Sequence, residues 1–497
     1  MISILTYSLP DSVRDCKNLA GGTWVAPRGR AIALTSPHDG RPIGTLRLST
    51  SADVDDAAIA AHRASIAWGA TPMRERAVPL RRFLSLASRH ASSLAGTVAL
   101  ESGKTPDEAL AGIQRGLEVV EFALSLPNQN SGGALALEVS RGVTCETRRE
   151  PLGVVAGVTP FNFPAMVPMW MFPIALMLGN AFLLKPSEKV PLSACQMGDW
   201  MVDAGFAPGL FSVVHGDRDT VHAIVDHPAV KAIGFVGSTT AARAVYGRAT
   251  ALGKRALCLG GAKNHIIAAP DADEALTVPG VVDSFTGCAG QRCMAASVLV
   301  VVAGAERLVD SIVRCAAAIE LGSTMGALID AAAKKRIDDA IARAEDQGAR
   351  VVLDGRKARP PSVLEGGNWL GPTIIDHVRS DMDCAKVELF GPVLSIVRVA
   401  TLDDALAWDR SSPYGNATSV FTSSGSVARY VAQHATSAMI GVNVGVPVPR
   451  DPFSFGGTKD SKFGQGDMTG WGGVEFWSQL KKITARWATS PDKTWMS

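Results

Sequence analysis

Short runs of apolar residues alternate with helical patches along most of this chain. After Arg149 such runs occupy Val154–Val158, 182–184, 211–214, 232–236, Asn264–Ala268 and 298–302, each followed by a helical segment; later runs lie at 394–399, 418–421 and 439–444. Strands that are apolar at every position are buried on both faces. Their alternation with helices predicts a parallel sheet covered on both sides. The predicted fold class is therefore α/β. Ahead of Arg149 the chain reads helical. Thr50 and Asp53 have capping-box spacing before an alanine-rich helix ending near Gly69. Leu80, Phe83, Leu84 and Ala87 recur at helical spacing in a second helix, with Arg81, Arg82, Ser85 and Arg89 among the other positions.

Residues 154–184 carry no charge and are long enough to span a membrane. Pro160, Pro164, Pro168 and Pro173 fall inside this stretch, with Asn162 and Asn180, and a spanning helix tolerates that poorly. A buried strand, a tight turn and a buried helix account for it better.

The 497 residues exceed what one hydrophobic core usually serves, so two or more packed units are expected. With 47% apolar and 19% charged residues the chain reads as globular. Lys plus Arg (49) nearly balances Asp plus Glu (47), which points away from nucleic acid or an anionic membrane as a partner. The eight cysteines show no CxxC pair and no Cys/His cluster with zinc-ligand spacing, so no metal is expected. Met1 to Asp11 has neither a basic n-region nor a long apolar h-region. That reads as a chain without a signal peptide, in a reducing cytoplasm.

The dinucleotide fingerprint GxGxxG is absent. A different strand-to-helix turn runs through Gly234-Phe235-Val236-Gly237-Ser238-Thr239-Thr240, where small and hydroxyl residues open a helix whose N-terminal amides suit a pyrophosphate. Many α/β loops look like this and bind nothing. The sharpest chemical segment is Gly287-Cys288-Ala289-Gly290-Gln291-Arg292-Cys293-Met294. A cysteine in a glycine-flanked bend beside an arginine has a route to a lowered pKa, because nearby positive charge favours thiolate. By itself, such a cysteine is more often an inert, buried small hydrophobe.

Context changes that balance. Thr159-Pro160-Phe161-Asn162-Phe163-Pro164, Lys185-Pro186-Ser187-Glu188, Phe235-Val236-Gly237-Ser238, Gly290-Gln291-Arg292-Cys293, Glu388-Leu389-Phe390-Gly391-Pro392 and Phe453-Ser454-Phe455-Gly456-Gly457 occur in this order. From about Gly22 to Trp487 the chain resembles the aldehyde dehydrogenase superfamily. The resemblance implies that Cys293 adds to an aldehyde carbonyl. It also implies that the Asn162 side-chain amide and the Cys293 backbone N–H donate to the resulting alkoxide. On spacing alone Asn162 reads as a plain turn residue before Phe163-Pro164.

Hydride loss to NAD would then leave a thioester. Thr159, Phe161, Ser187, Gly237, Ser238 and Phe390 fall in the family's cofactor motifs. Glu388 matches the glutamate at the nicotinamide ribose, and Lys185 with Glu188 the pair at the adenosine ribose. A carboxylate there repels a 2′-phosphate, which favours NAD over NADP. The plain alternative for Lys185 and Glu188 is a solvated helix start after Pro186.

One segment departs from the common pattern. Hydrolytic members carry a glutamate base in a Glu-Leu-Gly-Gly-Lys motif, whereas this chain reads Cys258-Leu259-Gly260-Gly261-Ala262-Lys263-Asn264-His265, and no Asp or Glu lies between Asp226 and Asp271. Without a local base water attacks a thioester poorly, while the thiol of coenzyme A attacks it well. Phe161, where hydrolytic members often carry tryptophan, points the same way. The chain is similar to the CoA-acylating branch, whose members act on malonate and methylmalonate semialdehydes. The small aldehyde's carboxylate needs a cation, and planar arginine suits it best. Arg115 and Arg292 are the candidates; the plain alternative for each is an ordinary surface or interface arginine.

The expected architecture is an aldehyde dehydrogenase-like α/β fold. An NAD-binding domain covers 1–131 and 151–257, and a catalytic domain covers 258–445. Residues 132–150 and 446–497 form an oligomerisation and C-terminal segment, for a homodimer or homotetramer. Two other readings stand beside this one: a hydrolytic NAD(P)-dependent aldehyde dehydrogenase that recruits a base from elsewhere, and a non-catalytic binding or structural relative.

Overall fold

The structure is a computed structural model that describes residues 14–129, 132–140 and 142–486. The Met1–Asp11 segment and Trp487 lie outside the described residues. Two large sheets organise the chain. The first has eight strands in the order Lys462–Phe463, Arg255–Leu259, Val230–Val236, Val154–Val158, Ala181–Lys185, Phe211–Val213, Asn18–Ala20 and Thr23–Val25. Its five central strands are parallel, and the additions at both edges are antiparallel. The second has seven: Arg350–Leu353, Thr373–Asp376, Val393–Val399, Ala296–Val302, Asn264–Ala268, Ala417–Phe421 and Met439–Val442. All but its first pairing are parallel.

Two expectations need correction. Five short strands precede the first helix: Arg14–Cys16, Asn18–Ala20, Thr23–Val25, Ala31–Thr35 and Pro42–Arg47. Arg14–Cys16, Thr23–Val25 and Ala31–Thr35 are edge strands with many exposed positions, and all five are short, so no fully apolar run announces them. Arg255–Leu259 belongs to the first sheet, so that unit extends past 257 and includes Cys258. Lys462–Phe463, from the C-terminal segment, also joins it.

Helices form where the pattern puts them. Ser51–Ala70 opens on the Thr50/Asp53 capping box, and the Thr50 backbone N–H donates to the Asp53 carboxylate at 2.8 Å. In Met73–Arg89 the residues Leu80, Phe83 and Ala87 are buried, and Leu84 is half-buried. The uncharged stretch is the Val154–Val158 strand, a turn, the Met166–Met177 helix and the Ala181–Lys185 strand. Every residue of that helix is buried. A helix apolar all round belongs inside a core. Among the described residues no helix is long and apolar enough to cross a membrane. Gly157 sits mid-strand because a Cβ there would meet the Phe182 ring at 2.5 Å.

Buried Asn180 joins three segments. Its Oδ1 accepts from the Leu152 and Gly153 amides (2.7 and 3.1 Å), and its Nδ2 donates to the Ala175 and Trp477 carbonyls (3.0 and 2.8 Å). A buried amide with every bond made fixes geometry as well as adding stability. Beyond the two sheets, Leu135–Ser140, Val143–Pro151 and Ser478–Arg486 form a three-stranded antiparallel arm.

Candidate active site

In a parallel sheet the loops at the carboxyl ends of the strands gather ligands. Three such loops of the first sheet meet here. Thr159, Phe161 and Asn162 follow Val154–Val158; Ser187 and Glu188 follow the strand that ends on Lys185; Gly237 and Ser238 follow Val230–Val236. All of them line one cleft of about 560 Å³, together with Glu388 and Phe390. That volume suits a sizeable ligand. Ser238 caps the Thr239–Ala251 helix, its hydroxyl accepting from the Ala241 amide, and so presents the helix N-terminus at the cleft wall.

The walls are specific in charge and shape. Buried Lys185 donates to Glu188 at 3.1 Å; burial lowers its pKa and Glu188 opposes that. The Thr159 hydroxyl is buried with no partner, as expected of a wall that meets a polar ligand. Phe390, at φ 55°, stands edge-on to Phe161 with ring centroids 5.7 Å apart. The Glu388 carboxylate accepts from the Ala262 amide at 3.0 Å, and burial pushes it up to about 7.

A second cavity of about 240 Å³ holds Arg115, Arg292, Glu108 and an apolar lining that includes Trp170 and Phe455, whose rings lie 4.7 Å apart. Cys293 lines both cavities, as do Phe163 and Trp170. The predicted residues thus assemble around one thiol, with the nine cofactor candidates on one side and both arginines on the other.

The loop bearing that thiol is strained. Cys288 and Ala289 have φ of 54° and 51°, values that L-residues avoid, and Gly290 follows at 68°. Each non-glycine residue held there costs on the order of 1–2 kcal/mol. The surroundings over-determine the loop. Glu108 Oε1 accepts from the Cys288 amide at 2.5 Å, while its Oε2 accepts from the Thr105 amide at 3.0 Å. Gln291 Oε1 accepts from the Ile329 amide (3.0 Å), and Asn162 Nδ2 donates to the Gln291 carbonyl (2.9 Å). Asn264 and Asn416 both donate to the Cys293 carbonyl at 2.8 Å. Of these, only Asn162 and Cys293 were singled out from sequence. The Thr105-x-x-Glu108 spacing is a capping-box signal, but nothing in it shows that the second oxygen reaches Cys288.

Electrostatics overturn one expectation. The Cys293 thiol is pushed up to about 12, by burial first and then by the Glu388 charge; Arg292 and Lys104 pull it down by less. Arg292 is partly committed elsewhere: its Nη2 donates to the carbonyls of Asp283 and Ser284, at the end of the preceding helix. Its Nε is buried without a partner. Lys104 lies 3.9 Å from the centroid of the Phe163 ring. In the free protein, iodoacetamide labelling of Cys293 should therefore rise about tenfold per unit from about pH 7 to about pH 9. A rate that levels off below about pH 8, followed by peptide mass spectrometry, would contradict this.

Cys258, where hydrolytic relatives place their base, is wholly buried in a strand of the first sheet and lines neither cavity. Arg115 donates to Glu118 and, at 2.9 Å, to the Pro449 carbonyl, which holds it at the wall of the smaller cavity. The arrangement can add a thiol to a carbonyl carbon, with an amide donor beside it.

Comparisons with known proteins agree with this geometry. Residues 24–483 match the model of the aldehyde dehydrogenase family. The chain is 42% identical to malonate-semialdehyde dehydrogenase 1 of Geobacillus thermodenitrificans, across 96% of this chain and 99% of that protein. It is 40% identical to malonate-semialdehyde dehydrogenase of Halalkalibacterium halodurans, across 95% and 98%. Among solved structures, a Sinorhizobium meliloti protein assigned as methylmalonate-semialdehyde dehydrogenase, in complex with NAD, superposes with a TM-score of 0.94. The two are 39% identical, over 97% of this chain and all of that one. Methylmalonate-semialdehyde dehydrogenase from Oceanimonas doudoroffii gives the same TM-score at 38% identity, over 96% and 99% of the two chains. By its sequence, its fold and the assembly of its motifs around one cysteine, the chain belongs to the aldehyde dehydrogenase family.

Proposed function

We propose that this chain oxidises malonate or methylmalonate semialdehyde with NAD, through a thioester on Cys293, and passes the acyl group to coenzyme A. The β-carboxylate leaves as carbon dioxide, giving acetyl-CoA or propionyl-CoA. The observation that carries the reading is the position of Cys293, on the shared wall of a large cleft and a small cavity. An aldehyde in the small cavity and a hydride acceptor in the cleft would both reach the same carbon.

NAD, when bound, supplies the hydride acceptor. Lys185 and Glu188 would hold its adenosine ribose, the Ser238 helix start its pyrophosphate, and Glu388 its nicotinamide ribose. The protein's own steps follow from the geometry. Cys293 loses its proton and attacks the carbonyl. One Asn162 N–H is held by the Gln291 carbonyl, and the other is left to donate to the alkoxide. Arg292 and Arg115, which both line the small cavity, supply the cations for the substrate carboxylate.

Thioester transfer to a thiol is favoured because no carboxylate stands at Cys258 and Glu108 has both oxygens engaged by backbone amides. Hydrolysis has one observation in its favour: the Glu388 carboxylate is pushed up to about 7 and its charge reaches Cys293. Reduced-nicotinamide formation over many turnovers, with malonate semialdehyde and NAD, separates the two. Turnover sustained only with coenzyme A, with acetyl-CoA as product, is the expected result. Equal turnover without it would end the acylating reading and make Glu388 the base.

We also infer division of labour among the units. The first sheet binds the cofactor, the second carries Cys293, and the arm mediates assembly into a dimer or tetramer. Leu135, Leu137 and Val139 on the arm are 62%, 69% and 52% exposed, an apolar surface that a partner would cover. The L137E substitution should shift sedimentation towards a smaller species; an unchanged profile would count against the arm. All eight cysteines are free, in keeping with a reducing cytoplasm.

A further inference from the structure

Away from the cleft, three chemically reactive groups are packed together inside the first unit. Cys16 ends the Arg14–Cys16 strand, and Cys195 lies in the first turn of the Leu192–Asp203 helix; they are 3% and 1% exposed. Both belong to one small buried cluster with Leu34, Leu46, Leu100 and Leu192, and each acts on the other's ionisation. His215, wholly buried, places Nε2 at 3.4 Å from the Cys195 sulfur, and its Nδ1 has no partner. The positive charge of Arg14, which donates to Asp199 at 2.9 Å, also acts on Cys195.

None of these side chains lines either cavity around Cys293. Packing does not require this combination, since two small apolar residues would fill the same space.

The surroundings divide the two thiols by role. Cys195 is favoured as thiolate by neighbouring Cys16, by His215 and by Arg14, against its burial, at the start of a helix whose dipole acts in the same sense. Cys16 is pushed the other way, first by Cys195 and then by burial. A neighbouring carboxyl, Glu101, accepts from the Leu192 and Ser193 amides at 2.6 and 3.0 Å. Burial pushes it up to about 8, so it adds little negative charge at neutral pH.

We propose that Cys16, Cys195 and His215 form an oxidation site at which a small hydroperoxide converts the two thiols into a disulfide, independent of the chemistry at Cys293. Cys195 passes its proton to His215 and its sulfur attacks one peroxide oxygen; the O–O bond breaks, and the leaving oxygen takes that proton back from His215 and departs as alcohol or water. Sulfur is oxidised to sulfenic acid. The Cys16 sulfur then attacks that sulfur as His215 receives the Cys16 proton; the S–O bond breaks, the leaving hydroxide regains that proton as water, and the S–S bond forms. Overall, two thiols and one hydroperoxide give one disulfide, one water and one alcohol. The bond ties the N-terminal strand to a helix far along the chain, and cross-links closing long loops restrict the unfolded state most.

The test is treatment of the full-length protein with hydrogen peroxide, followed by alkylation and non-reducing peptide mapping. A Cys16–Cys195 linked peptide is expected, with a rise in Tm that dithiothreitol reverses. Exposed Cys315 reports that oxidant was present. In His215→Asn, linkage should slow at least about tenfold. Oxidised Cys315 with Cys16 and Cys195 both still free to alkylate after denaturation would overturn the proposal, as would linkage of either to another cysteine. Should His215→Asn fail to fold, the map of the unaltered protein decides the question by itself.

Discussion

Replacing Cys293 with alanine is expected to lower aldehyde-dependent reduction of NAD by at least about four orders of magnitude. Removing a nucleophile that forms a covalent intermediate leaves only binding and donor effects. The fold should survive. The residue is half-buried against two cavities, and its loop is fixed by bonds to its backbone and to its neighbours rather than to its sulfur. Initial-rate assays beside a melting curve check this. Activity within about tenfold of the parent, in a protein that melts normally, would mean that the thioester lies elsewhere.

Asn162→Ala should cost about two to three orders of magnitude in kcat, the usual loss for one oxyanion donor. The same side chain holds the Gln291 carbonyl, so a second measurement must show that the loop is intact. Iodoacetamide labelling of Cys293 at high pH serves, and should stay within about twofold of the parent. Asn162→Asp should be at least as damaging, since it sets an acceptor and a charge where a donor is needed. If labelling falls as far as turnover does, Asn162 supports the loop and does not meet the alkoxide.

The site was more legible than the fold that carries it. Thr159, Lys185 and Gly237 lie where apolar strands give way to polar or small residues, and that change marks the carboxyl end of a buried strand. Strand order left no local trace. Asn264–Ala268 and Val154–Val158 have the same apolar character, yet they belong to different sheets. Strands such as Thr23–Val25, half in solvent, carried no apolar run at all.

The charge state of Cys293 was misread because sequence displays a neighbouring arginine but not burial, and burial dominates. Glu108 was missed because its amide partner lies 180 positions away. The buried pair Cys16 and Cys195 escaped notice for the same reason: only folding makes them neighbours.

The ends of the first sheet also govern how the chain can be made. Lys462–Phe463 forms its edge beside Arg255–Leu259, and Trp477, wholly buried, packs against Phe182 in its core. On the ribosome the central strands and the helices that pack on them emerge long before these pieces, so the Arg255–Leu259 edge and the apolar site for Trp477 wait uncovered until almost the whole chain has been translated. Synthesis therefore leaves a long interval in which the nascent chain depends on chaperones, and a message truncated before residue 462 would yield aggregate rather than a smaller working domain.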